Sequence, residues 1–251
     1  MEQDFIPYQA NQHRPDARVL VLAPHPDDEV LGCGGAVIAH VKQKNFIQVV
    51  IVTDGRMAEP QHPDPAAYVR LRQQESQQVA DLIGYPSPIF WDYIDRQLDQ
   101  ADDLCAKIMQ QIVDKNIEMV YTPSLHEVHP DHFALAQASV EAVTRLAEKN
   151  INIQLVMYDV GIPLAANIML DITPVWDLKY QAMQYFQTQL KIQDYTRHMQ
   201  ALDEYRSYTL GSQVMAAEAY YVIDGQDLLA EPQLCFGHSQ QGLYYQALIE
   251  K

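Results

Sequence analysis

The sequence predicts an α/β fold: a Rossmann-like, mostly parallel sheet with helices on both faces and a C-terminal helical and strand extension. Two observations carry this expectation. Short apolar runs rich in β-branched residues alternate with longer amphipathic stretches, the rhythm of strands that cross over through helices into a parallel sheet. Near residue 160 the rhythm changes, and two helical stretches and a last strand-like run follow. With 251 residues and 48% hydrophobic content, the chain can bury a sizeable core.

Taken in order, the candidate strands are residues 18–23 (RVLVLA), 47–53 (IQVVIVT), 89–91, 117–122 (IEMVYT) and 153–159 (IQLVMYD). Between them the amphipathic stretches predict helices over 34–44, 65–83, 102–115 and 131–149. The second of these opens on Pro65 directly after Asp64, a helix start signal. Beyond Val160 come an apolar piece at 167–172, helical stretches at 174–189 and 192–208, and a strand at 219–223 (AYYVI). No Ser/Gly linker, internal repeat or low-complexity tract interrupts the chain, so residues 1–251 are expected to form a single domain. Its core would span about 18–160 and its extension about 161–251.

The 17 Lys and Arg against 33 Asp and Glu give a formal charge of −16, which repels polyanions. Nucleic acid and anionic headgroups are thereby disfavoured as partners, since both are bound by clustered basic residues and no basic run occurs. No stretch of about eighteen apolar residues calls for membrane insertion. Cys33, Cys105 and Cys235 are widely spaced, with no CxxC, so no disulfide framework or cysteine zinc site is indicated, and a cytoplasmic location is the simplest expectation. A small molecule is the expected partner, and homo-oligomerisation stays open.

Two polar clusters follow strands, where ligands bind in open α/β sheets. The first is Pro24-His25-Pro26-Asp27-Asp28-Glu29; the second runs from His126-Glu127-Val128 into His129-Pro130-Asp131-His132. A lone His-x-Asp-Asp often does no more than cap the next helix. Two such clusters can converge. His25, Asp28 and His132 supply two imidazoles and a carboxylate, the donor mix of a catalytic zinc whose fourth position is open to water. Asp27 is then suited to the role of general base, and a protonated His129 could stabilise the oxyanion and supply a proton to the leaving amine. Asp131 could orient one of the histidines. Pro130 suits the first helical position after a capping His129, which puts His129 at a helix N-terminus, where protonation is disfavoured. An acidic neighbour, Asp131 or Asp27, is therefore required at hydrogen-bonding distance.

These motifs resemble those of the zinc-dependent PIG-L/LmbE-like de-N-acetylase family, whose hallmarks are AHPDDE near the N-terminus and HPDH about a hundred residues later. Pro24 in place of Ala is the one departure in the first motif. Weaker landmarks are Leu31-Gly32-Cys33-Gly34-Gly35, Thr53-Asp54-Gly55, Arg72 with Glu75, Ile83-Gly84, Asp171-Ile172-Thr173, Lys179, Thr188-Gln189 and Ala217-Glu218-Ala219-Tyr220, so the resemblance spans about 18–223. It implies zinc at His25, Asp28 and His132, Asp27 as base, His129 as acid and oxyanion stabiliser, and Arg72 in holding the substrate. It also implies removal of acetyl from an N-acetylglucosamine-type sugar within a larger conjugate.

Other readings weigh against these. Leu31-Gly32-Cys33-Gly34-Gly35 lacks the GxGxxG spacing of a dinucleotide loop, and its glycines suit close helix packing beside a buried Cys33. Asp54 could stabilise a turn before Gly55, and Arg72 with Glu75 could form a surface ion pair. His62, His126, His198 and His238 read as solvated or satisfied side chains, with His126 the candidate for the pocket mouth. Tyr205, Tyr208 and Tyr220 could form a sugar platform. Two imidazoles and one carboxylate also make the facial triad of Fe(II) oxygenases, and Fe2+ could replace zinc in a hydrolase. A non-catalytic sugar-binding protein of the same fold is a third reading.

Overall fold

The computed structural model describes residues 7–11 and 17–236. Among these, seven strands form one sheet: β1 (Arg18–Ala23), β2 (Phe46–Thr53), β3 (Ile89–Tyr93), β4 (Met119–Pro123), β5 (Gln154–Tyr158), β6 (Ile168–Asp171) and β7 (Ala217–Asp224). Their spatial order is β3-β2-β1-β4-β5-β7-β6. The pairs β1–β2, β2–β3, β1–β4 and β4–β5 are parallel, and β7 runs antiparallel to β5 and β6. The mostly parallel sheet and its C-terminal extension are thus as expected.

The helices are α1 (Asp28–Leu31), α2 (Gly34–Lys42), α3 (Pro65–Ile83), α4 (Leu104–Asp114), α5 (Pro130–Ala147), α6 (Trp176–Met183), α7 (Gln187–Leu190), α8 (Tyr195–Arg206) and α9 (Gly225–Ala230). β1 shows how the sheet divides two cores. Val19, Val21 and Ala23 pack with residues of α2, α3 and α6, whereas Leu20 and Leu22 pack with residues of α4 and α5. Apolar residues on both faces are what a central parallel strand requires. α3 starts where Asp64 Oδ1 accepts the Ala67 N–H at 2.9 Å, with Pro65 as first residue, and ends at Gly84 with φ 95°.

Local hydrogen bonding explains where the boundaries differ from expectation. The Ile117 N–H donates to Ile112 O at 2.9 Å and closes the end of α4, so β4 begins at Met119. The stretch 174–189 is broken into a 3-10 turn at Thr173–Val175, then α6 and α7. The break falls at buried Phe186 (φ −81°, ψ 58°), after which Glu75 accepts both the backbone N–H and the hydroxyl of Thr188, at 2.9 and 2.5 Å. The stretch 192–208 becomes helical at Tyr195, capped by Asp194.

One ion cluster ties the extension to the core. The Lys179 ammonium, fully buried, lies 2.8 Å from Asp203 Oδ2 on α8 and 2.8 Å from Glu218 Oε1 on β7. Glu218 in turn accepts the Gly35 and Ala36 N–H groups at the start of α2, at 2.7 and 2.8 Å. Among the described residues no helix is long and apolar enough to cross a membrane.

β1 is flanked by β2 on one side and β4 on the other, so the chain winds outward in both directions from this pair. Loops leaving the carboxyl ends of β1 and β4 diverge there and leave a crevice, the usual ligand position in open α/β sheets.

Candidate active site

The loop after β1 is pinned on several sides. Pro24 O accepts the Thr53 N–H and hydroxyl, both at 2.8 Å. Arg72, reaching across from α3, donates to Pro26 O at 2.5 Å and Gly55 O at 2.8 Å. Gly55 has φ 64°, and a Cβ there would lie 2.2 Å from Arg72 Nη1, so the turn and the close approach both demand glycine. Asp27 carries φ 132°, a region side-chain-bearing residues avoid. Glu29 holds it there by accepting the Asp27 N–H at 2.9 Å, and Arg72 Nη2 lies 3.4 Å from its carboxylate.

The loop after β4 reaches the same crevice through the first turn of α5. His129 caps this helix: its Nδ1 accepts the Asp131 N–H at 3.3 Å, and Pro130 follows as first residue. His132, one turn along, turns its ring toward His25, with ring centroids 5.2 Å apart.

Three atoms from the two loops form a nearly equilateral triangle. His25 Nδ1 lies 3.1 Å from Asp28 Oδ2 and 3.3 Å from His132 Nε2, and the remaining edge, His132 Nε2 to Asp28 Oδ2, is 3.2 Å. A tetrahedral ion with bonds of about 2.0–2.1 Å separates its ligands by about 3.3 Å. Both imidazoles also face carboxylates on their outer side. His25 Nε2 lies 3.1 Å from Asp131 Oδ2 and 3.4 Å from Asp95 Oδ1. His132 Nδ1 lies 3.3 Å from Glu127 Oε2, close enough to pair electrostatically but too poorly aligned for a hydrogen bond. An outer carboxylate keeps the proton on the far nitrogen and aims the near lone pair inward, the usual arrangement around metal-binding histidines. His25, His129 and His132 present ligand atoms within 4.8 Å of one another, as do His25, Asp95, His129 and Asp131. The donor set therefore fits a divalent cation.

The electrostatics follow from burial and these neighbours. Burial alone would lower His25, but Asp131, Asp28 and Asp95 outweigh it and hold the imidazole well above its usual range. Burial likewise opposes protonation of His132, and Asp28 and Glu127 reverse this, raising it to about 9. Asp28, despite its burial, is pulled far below the carboxylate range by His132 and His25. Burial pushes Asp27 up to about 7, with Arg72 opposing and Asp28 adding to the rise. Glu29 is pushed by burial to about 8.

His129 behaves differently from the expectation. Burial, then the charges of His25 and His132, press it down to about 4. Asp131 does not supply the acidic partner, because its oxygens are taken by His25 Nε2 and by the Arg96 and Leu98 N–H groups, at 3.1, 2.7 and 3.2 Å. Nor does Asp27, which pairs with Arg72. With Nδ1 accepting a backbone N–H, the neutral ring carries its proton on Nε2.

A cavity of about 290 Å3 opens over this arrangement, lined by His25, Asp27, Asp28, Arg72, His129 and His132 among others. Every candidate site residue except Asp131 lines it, and Asp131, fully buried, stands behind His25. Arg72 and Glu75 are buried, which removes the alternative of a surface ion pair. Asp54 does stabilise the turn, its Oδ1 accepting the Arg56 N–H at 3.1 Å. Cys33 is buried, and a Cβ on Gly32 would lie 2.2 Å from Cδ2 of Tyr158, consistent with close packing at this glycine. His126 lies outside the cavity, beside Ser124, Leu164 and Cys235. No tyrosine platform lines it either: Tyr205 and Tyr208 are solvent-exposed and Tyr220 is buried against Glu218. His238 lies outside the described residues. Sequence reasoning missed Asp95, which follows the end of β3, and gave no role to Glu127 within the second cluster.

A family profile described as PIG-L: GlcNAc-PI de-N-acetylase matches residues 20–143, which contain both clusters. Over that segment the chain resembles the PIG-L family. It is 28% identical over 183 residues to a probable N-acetyl-alpha-D-glucosaminyl L-malate deacetylase 2 of Bacillus subtilis, covering 68% of this chain and 82% of that protein. Among solved structures, the N,N'-diacetylchitobiose deacetylase of Pyrococcus horikoshii superposes with TM-score 0.71 at 20% identity, over 91% of this chain and 85% of that one. GalB, the 4-carboxy-2-hydroxymuconate hydratase of Pseudomonas putida, superposes with TM-score 0.68 at 22% identity, over 82% and 96%. At such identities the likeness is one of fold, and the PIG-L fold evidently serves more than one reaction.

Proposed function

We propose that this protein is a metal-dependent N-deacetylase that hydrolyses the acetamide of an N-acetylglucosamine-type sugar within a larger conjugate. The observation that carries the reading is the triangle of His25 Nδ1, Asp28 Oδ2 and His132 Nε2 with the Asp27 carboxylate beside it on the same cavity. His25, Asp28 and His132 would hold the ion, zinc by preference and Fe2+ as the alternative. When bound, such an ion polarises a carbonyl oxygen and acidifies a water.

The protein's own groups do the rest. Asp27, held near neutrality by burial, takes a proton from the attacking water as its oxygen bonds to the acetyl carbon. The carbonyl oxygen becomes an oxyanion, and His129 donates its Nε2–H to it as a neutral group. Asp27 then passes the proton to the sugar nitrogen as the C–N bond breaks, leaving acetate and a free amine. Arg72 keeps the Asp27 loop in its strained conformation, and contact with substrate from the cavity wall is a further part of the proposal. The free cysteines suit a reducing, cytoplasmic setting.

Purified protein, assayed with zinc and a panel of N-acetylglucosaminyl conjugates, is expected to release acetate stoichiometrically with free amine. Protein that binds no divalent ion and releases no acetate from any of them would refute the reading. Oxygen consumption with a 2-oxoacid would point to the facial-triad reading, and equal affinity for acetylated and free sugars without turnover to a non-catalytic binder.

A further inference from the structure

The cavity rim carries an arginine to which the reaction above assigns no role. Two arginines line the cavity, and Arg72 spends its Nη donors on Pro26 O and Gly55 O. Arg96 does not: its guanidinium is exposed and has no hydrogen bond or ion pair to any described residue. In this chain of net charge −16 the carboxylates outnumber the cations almost two to one.

Its backbone is a second, independent observation. Arg96 sits at φ 67°, a left-handed conformation that glycine adopts without strain and arginine does not. The conformation is enforced, since the Arg96 N–H donates at 2.7 Å to Asp131 Oδ2, the carboxylate that also holds His25. The strained residue is thus fixed to the same buried group as the proposed metal ligand, with its cation on the rim of the same cavity. Asp27, Asp28, Asp95 and Glu127 also line the cavity, and none of them pairs with the Arg96 guanidinium.

We propose that Arg96 forms an anion subsite that selects amino-sugar conjugates bearing a carboxylate or phosphate next to the sugar. The inference rests on the deacetylase reading and deepens it. A diffusely anionic protein repels such a substrate, so a local unpaired cation is needed to favour it.

The test compares three substrates: the methyl glycoside of N-acetylglucosamine, its carboxymethyl glycoside and N-acetylglucosamine 1-phosphate. Wild type is expected to prefer at least one anionic substrate in kcat/KM, which also tells carboxylate from phosphate. In Arg96→Gly the anionic-to-neutral ratio falls by about tenfold, the scale of one lost charge-assisted hydrogen bond; in R96E it falls further. Glycine tolerates this φ, so the variant folds. A wild type without anionic preference, a ratio that does not move, or a loss shared equally by all three substrates overturns the proposal. Should wild type deacetylate none of them, the deacetylase reading fails, and calorimetric binding of the three corresponding free amines decides the subsite separately. Tighter binding of an anionic amine that R96G erases upholds it, and equal affinities overturn it.

Discussion

The molecule contains two buried clusters of charged groups, and they differ in one respect. Around Lys179, Asp203 and Glu218 the chain supplies its own cation: the ammonium touches both carboxylates, and Glu218 spends its remaining capacity on the start of α2 and the Tyr220 hydroxyl. That cluster lines no part of the cavity. Around His25, Asp28 and His132 three electron-pair donors crowd within 3.3 Å with no lysine or arginine among them, and the group opens onto about 290 Å3 of space. Buried carboxylates therefore do not mark a site by themselves. A cluster that completes its own charge balance holds the fold together, whereas one that needs a cation from outside is built to do chemistry.

The contrast breaks most sharply on removal of the ion. Dialysis against a chelator is expected to abolish acetate release, with recovery on adding zinc, while circular dichroism shows the fold retained through the Lys179 cluster. Next in size, Asp27→Asn should lower kcat by about 10²–10⁴-fold while the protein still binds one equivalent of metal, measured by elemental analysis. His129→Ala should cost about 10²–10³-fold. His129→Gln, which keeps an N–H donor but cannot protonate, should recover part of that loss, an outcome an obligatory imidazolium would not permit.

Perturbing the other cluster is expected to act on stability. Lys179→Met leaves two buried carboxylates unpaired and should cost about 3–5 kcal/mol, read from denaturant unfolding, with the metal affinity of the folded protein unchanged. The smallest effect is one of pH. Asp203 is raised from 3.8 to about 7, chiefly by burial, with Lys179 opposing and Glu218 adding to the rise. The folded protein thus keeps a proton that the unfolded chain releases, so this group's contribution is full below pH of about 4 and is lost as pH rises to about 7. Asp203→Asn should flatten the fall of the thermal midpoint across that window.

Much of this was legible in the sequence because it is carried by short-range pattern. The strands announce themselves as apolar runs, and HPDDE and HPDH follow strand ends in sequence. What was not legible depends on the winding of the sheet. Asp95 leaves β3, two strands away from β1, and meets His25 only because its loop folds back across the end of β2. For Arg72 a surface pair stood as the alternative to a substrate contact, since helical spacing shows Glu75 beside it and cannot show Gly55 and Pro26 beneath it. The charge state expected of His129 also failed, because Asp131 turns away from it toward His25 and two backbone N–H groups.

The most direct test is X-ray absorption at the zinc edge of the metal-loaded protein, wild type beside His132→Ala. The account predicts a first shell of nitrogen and oxygen at about 2.0–2.1 Å containing two imidazoles in wild type, with one imidazole signal lost or the metal absent in the variant. A sulfur shell at about 2.3 Å, or a spectrum and stoichiometry that the substitution leaves unaltered, would contradict it.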